Sequence, residues 1–105
     1  MAHYLYRLLP HRLDFATTMT DEERAVMQQH VSYWRGHLDD GKVLIFSPVA
    51  DPARSWGLAI VEADEEGMST LRAGDPAVLA GIADADFLVL PAPTVRAPVT
   101  PDPAA

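Results

Sequence analysis

The sequence predicts an α+β fold of the ferredoxin-like kind: a βαββαβ sandwich with a four-stranded antiparallel sheet and helices on one face. Three observations predict it. Apolar segments follow one another as strand, helix, strand, strand, helix, strand, which is two split βαβ halves in series. A capping-box pattern, Thr20-Asp21-Glu22-Glu23, opens the longer helix, with Glu23 three positions after the N-cap Thr20. Strong stops, Gly41 and Gly74, close both helices.

The elements follow in chain order. His3 to Leu9 alternates around Tyr4, Tyr6 and Leu8 and is closed by Pro10. His11 to Met19 has no period and is expected to be a loop over the fold. The first helix runs from Asp21 to Asp40, with three acidic residues at the positive end of its dipole. Met27, Val31, Trp34 and Leu38 recur in steps of four, three and four, giving one apolar stripe. Val43 to Phe46 is a strand ended by Ser47-Pro48, Asp51 to Ser55 a turn, and Trp56 to Glu62 the next strand. Asp64 to Ala73 is the second helix, stopped by Gly74. Asp75 is a good N-cap for a further helical turn to Ala80, and Pro76 suits its first position. Phe87 to Leu90 is the last strand. Residues 1–90 thus form one domain, and 91–105 a Pro- and Ala-rich extended tail.

Val43-Leu44-Ile45-Phe46, Leu58-Ala59-Ile60-Val61 and Phe87-Leu88-Val89-Leu90 are apolar on both faces. An antiparallel sheet with one wet face alternates apolar and polar residues. A bare apolar face of four strands exceeds what monomers usually expose. The economical solution is a homodimer with two sheets packed face to face.

Composition narrows the function classes. A net charge of −7 with eight scattered basic residues disfavours nucleic acid and anionic membrane surfaces as partners. With no cysteine in the chain, disulfides, thiolate catalysis and sulfur-ligated zinc are excluded. No run approaches the ~20 apolar residues of a membrane span. The first residues lack the pattern of a signal peptide, so the expected location is the cytoplasm. Glycine-rich phosphate loops are absent, and no nucleotide or other cofactor is expected.

A few side chains remain for chemistry. On a helical wheel His30 lies about 70° from the centre of the stripe, and His37 about 20° further round. His30 therefore sits where the buried face meets its edge and can face a cleft. A carboxylate that orients a histidine makes the minimal general-base unit. On its own Asp75 reads as a helix cap; as the carboxylate that orients His30 it is the best partner. His37, near the helix end, favours the dipole. His30 and His37 lack a third ligand, so no metal site is expected. Tyr33 and Trp56 are candidates to line an apolar pocket, whereas Trp34 belongs to the core stripe. Ser47 and Ser55 are the serines near a cleft, and neither has a nucleophile-elbow context.

With these residues in place the chain resembles the YCII-related (YciI-like) family of small proteins. The matching pieces are His30, Gly41-Lys42-Val43-Leu44, Phe46-Ser47-Pro48 where the family usually shows Gly-Pro, Gly57 to Glu62, and Asp75-Pro76 with Ala80-Gly81. The resemblance covers Tyr4 to Leu90. It implies a ferredoxin-like fold dimerising as an α/β barrel and an active site of a histidine and an aspartate, here His30 and Asp75. Some relatives are dehydrochlorinases acting on chlorinated hydroxyhydroquinones. Ser47, in place of the usual glycine, would narrow or re-aim a pocket floor that it shares with Pro48, and His11 to Thr20 would cover the cleft.

Two functions are expected on this basis. One is a cofactor-free enzyme in which His30 is general acid/base and Asp75 orients it. It would act by elimination or isomerisation on a small apolar or aromatic molecule bound near Tyr33, Ser47, Pro48 and Trp56. The other is a non-catalytic dimeric small-molecule binder or accessory subunit, with the same pair as a structural hydrogen bond.

Overall fold

A computed structural model describes residues 1–96, so the tail reading lies outside the described residues from 97 onward. Pro91 to Arg96 is exposed and belongs to no helix or strand. The strands are β1 (Ala2–Pro10), β2 (Val43–Val49), β3 (Trp56–Ala63) and β4 (Ala83–Leu90). The helices are α1 (Phe15–Thr18), α2 (Asp21–Asp39), α3 (Glu65–Ala73) and α4 (Pro76–Leu79). All strand pairs are antiparallel and the sheet order is β2-β3-β1-β4. This α+β arrangement is compatible with the ferredoxin-like expectation.

Alternation decides what each strand buries. In β1 the inward residues are Tyr4, Tyr6 and Leu8, in register with Val61, Ala59 and Gly57 of β3. These pack with Trp34 of α2, Met68 and Leu71 of α3 and Ala77 of α4 into one core on a single sheet face. α2 starts at the expected capping box: Thr20 Oγ1 accepts from Glu23 N at 3.1 Å, and Glu23 Oε1 accepts from Thr20 N at 2.9 Å. Past its C-cap, Asp40, Gly41 turns at φ +86°, a left-handed conformation that glycine adopts without strain.

Four local expectations are corrected. The loop from His11 contains the short helix α1, and its Phe15 is buried. Apolar anchoring of one side chain, without any period to show it in the sequence, fixes this turn. Ser47 and Pro48 do not end a strand; they lie inside β2, which is an edge strand and so tolerates a residue with no N–H to donate. β4 begins at Ala83, because Ala83 and Ala85 are small inward residues whose strand role periodicity alone does not reveal. Finally, the inward face of α2 is rotated. Val26, Met27, His30, Tyr33, Trp34 and His37 turn toward the protein, while Val31 and Leu38 lie at the border of that face, 37% and 40% exposed.

The opposite sheet face is uncovered. Ile45, Ile60, Leu5 and Leu88 stand in one row across all four strands. Ile45 and Leu88, at the two edges of the row, are 52% and 53% exposed. The next row, Ser47, Leu58, Arg7 and Asp86, carries an ion pair at its β4 end, where Arg7 donates to both carboxylate oxygens of Asp86 at 2.8 and 2.6 Å.

Candidate active site

Three elements converge on Asp75. Tyr6 comes from the middle of β1, a central strand, and points to the helical side of the sheet. His30 and Trp34 come from α2, where a spacing of four places them one above the other on the same face. Asp75 is the N-cap of α4, its backbone extended and its Oδ1 accepting from Ala77 N at 2.9 Å. Capping therefore fixes the carboxylate locally before any distant partner meets it.

The carboxylate is 0% exposed and fully saturated with donors. Oδ2 accepts from Tyr6 Oη at 2.7 Å and from Trp34 Nε1 at 2.8 Å. His30 Nδ1 lies 2.8 Å from Oδ1 and 3.0 Å from Oδ2. Burial pushes the Asp75 carboxyl up, but the hydrogen bond and charge of His30, followed by the Trp34 and Tyr6 donors, more than offset it. The group is held below its ordinary range. Burial, then the Asp75 charge, holds the Tyr6 phenol far above its own ordinary range, so it remains a donor.

This network assigns the histidine tautomer. An ionised carboxylate only accepts, so His30 Nδ1 carries the proton. Nε2 is then the basic atom in the neutral ring. It has no hydrogen-bond partner among the described residues, and no buried side-chain nitrogen or oxygen there lacks one. Nε2 is thus accessible, and the ring lines a cavity of about 230 Å³.

The cavity is walled mainly by Phe15, Met19, Met27, Phe46 and Trp56, together with the inner edges of Tyr6 and Trp34. No Lys or Arg lines it. α1 closes one side through Phe15 and Ala16. That segment is tied down by Ser55 N donating to Leu13 O at 2.6 Å and by Ala16 N donating to Ser55 Oγ at 2.9 Å. Arg12 clamps it to α2 through both oxygens of Glu23, at 2.8 and 2.9 Å, which pulls the Glu23 carboxyl down to about 2.

His30, Asp75, Ser47, Pro48 and Trp56 are brought together here: the aspartate lies behind the histidine and the other three form part of the wall. Ser47 donates its hydroxyl to Pro48 O at 2.8 Å. Trp56 donates its indole N–H to Asp51 at 3.0 Å. Tyr33 does not line this cavity. It borders a separate, more open groove with His37 and donates to Leu71 O at 2.8 Å, tying α2 to α3. His37 bonds Asp40 at 3.0 Å within the helix end. Among the described residues no group of three or more His, Asp or Glu is placed to hold a metal ion, and no helix is long and apolar enough to cross a membrane.

Sequence reasoning missed Tyr6 and Trp34 as partners of the aspartate, and Phe15 and Met19 as cavity walls. A signal existed for Trp34. A buried indole N–H needs an acceptor, and Trp34 is four residues from His30. No protein-family model matches the chain, and no curated protein matches it.

Proposed function

We propose that the chain is a YCII-related, cofactor-free acid/base enzyme in which His30 Nε2 takes a proton from a small apolar or aromatic molecule and Asp75 orients the ring. One observation carries this reading: a histidine bonded at 2.8 Å to a fully buried carboxylate, its other nitrogen unpartnered among the described residues and its ring on the wall of an apolar cavity. The nearby Asp75 charge would stabilise the imidazolium that forms. Elimination, such as dehydrochlorination, and isomerisation both begin with this step.

The working unit in this proposal is a cytoplasmic homodimer, its two outer sheet faces packed together as an α/β barrel. The uncovered row Ile45, Ile60, Leu5 and Leu88 supports it.

The second reading is a non-catalytic dimeric binder or accessory protein. The full saturation of Asp75 favours it, since a carboxylate with four donors also serves as a structural hub. Turnover decides between them. Neutral halogenated and carbonyl-bearing ring compounds, incubated in D₂O and followed by NMR, should lose a proton or halide in the presence of the native chain. They should not react with His30→Gln, whose fold is checked by its amide spectrum. Equal rates in the two proteins overturn the base role, and inertness across the panel favours the binder.

A further inference from the structure

The polar groups around the cavity can be accounted for one by one. Six lining residues have side chains able to hydrogen bond: Tyr6, His30, Trp34, Ser47, Ser55 and Trp56. Tyr6 and Trp34 spend their protons on Asp75. Ser47 spends its proton on Pro48 O, and Trp56 on Asp51. Besides the acceptor lone pairs that the Tyr6, Ser47 and Ser55 hydroxyl oxygens retain, one basic nitrogen and one donor proton are left unspent among the described residues. The nitrogen is Nε2 of His30. The other is the hydroxyl proton of Ser55, whose oxygen accepts from Ala16 N but which donates to none of the described residues. A serine hydroxyl rotates freely about its C–O bond, so that proton can be turned to a guest.

We propose that Ser55 is the second polar contact of the site and fixes its specificity. The guest is then an uncharged, largely apolar ring compound that offers an acceptor oxygen to Ser55 and an acidic proton to His30. This rests on the reading of His30 as the base. Size and charge narrow it further. A dry cavity of about 150 Å³ holds benzene, so by proportion roughly nine non-hydrogen atoms fit here. With no lining cation and an ionised Asp75 behind the imidazole, a carboxylate or phosphate guest would meet repulsion with nothing to offset it. Ser55 also anchors α1 over the cavity, so the group that recognises the guest is the one that seats the cover.

Three probes of about that size separate the terms: acetophenone, its acceptor-free analogue α-methylstyrene, and benzoate. Each is titrated into the full chain and followed by amide NMR at the cavity residues. The native protein should bind acetophenone roughly three- to tenfold more tightly than α-methylstyrene, the worth of one neutral hydrogen bond. Benzoate should bind weakest. Ser55→Ala should bring the two neutral probes to equal affinity, and Ser55→Thr, which keeps the hydroxyl and its support of α1, should restore the preference. Equal affinities in the native protein, or a preference that survives Ser55→Ala, overturn the role of Ser55. Benzoate binding as tightly as acetophenone overturns the uncharged class. Failure of both neutral probes to bind overturns the cavity reading together with this one. A Ser55-dependent preference without any His30-dependent turnover leaves the specificity role standing and removes the base.

Discussion

Trp34 Nε1 stands 2.8 Å from Oδ2 of Asp75, so an indole in the apolar heart of the protein is a ligand of the one fully buried carboxylate among the described residues. The consequence is energetic. Removing a donor leaves the carboxylate less satisfied, whereas the aromatic ring still fills its space in a phenylalanine variant. Trp34→Phe and Tyr6→Phe should each destabilise by about 1–3 kcal/mol, measured by urea unfolding. The double variant should fall short of their sum, because both serve the same oxygen. Two single variants within 0.5 kcal/mol of native, roughly the level of neutral surface changes, would show that the hub is weak.

Acid should unfold the chain through its depressed carboxyls. Asp75 sits below its ordinary range and Glu23 at about 2. A carboxyl whose folded value is depressed contributes stability that is present above its unfolded value, roughly 4. That stability is lost as pH falls toward the folded value. Urea midpoints should therefore hold steady from neutral pH to about pH 4 and then decline, with part of the decline removed in Glu23→Gln. A midpoint unchanged down to pH 2 would contradict the direction of both shifts.

The outer sheet face gives a third expectation. Ile60 stands in register with both Ile45 and Leu5, in the middle strands of the uncovered row. Ile60→Lys places a charge where a partner sheet would pack. Light scattering on a sizing column should find the native chain dimeric at micromolar concentration and the variant monomeric. A monomeric native chain removes the dimer from the account.

The cover over the cavity has one buried apolar side chain, Phe15, beside the hydrogen bonds through Ser55 and Arg12 that tie it down. Phe15→Ala should loosen α1 with a cost below the ~3–5 kcal/mol of a deep-core Phe→Ala, since the site lies at the edge of the core. Acrylamide should then quench tryptophan fluorescence more strongly, through Trp56 on the cavity wall. Unchanged quenching would mean that α1 does not shield the cavity.

Much of this was legible in the sequence where the signal is local. The capping box at Thr20 and Glu23 and the Asp75-Pro76 helix start are settled within three or four residues, and both stand in the structure. Pairing His30 with Asp75 needed only a boundary histidine and a capping carboxylate in search of each other. The rest is long-range. Tyr6 and Asp75 are 69 positions apart, and nothing in an alternating strand says that its central tyrosine ends on a carboxylate. The stripe through Val31 and Leu38 misjudged the inward face of α2 for a physical reason. An ionised group at 0% exposure must be surrounded by donors, so His30 and Trp34 turn inward and the two aliphatic residues move to the border. Phe15 was hidden because one anchored side chain on a single helical turn leaves no period to read.

The most direct test is the protonation pattern of one ring. In protein labelled with ¹⁵N in its histidines, long-range ¹H–¹⁵N correlation at mildly alkaline pH should show His30 with the proton on Nδ1 and a bare Nε2. Addition of acetophenone should shift the Nε2 signal while Nδ1 stays bonded to Asp75. A ring protonated on Nε2 instead would contradict the account, because the only basic nitrogen would then face the carboxylate and leave the cavity without a base.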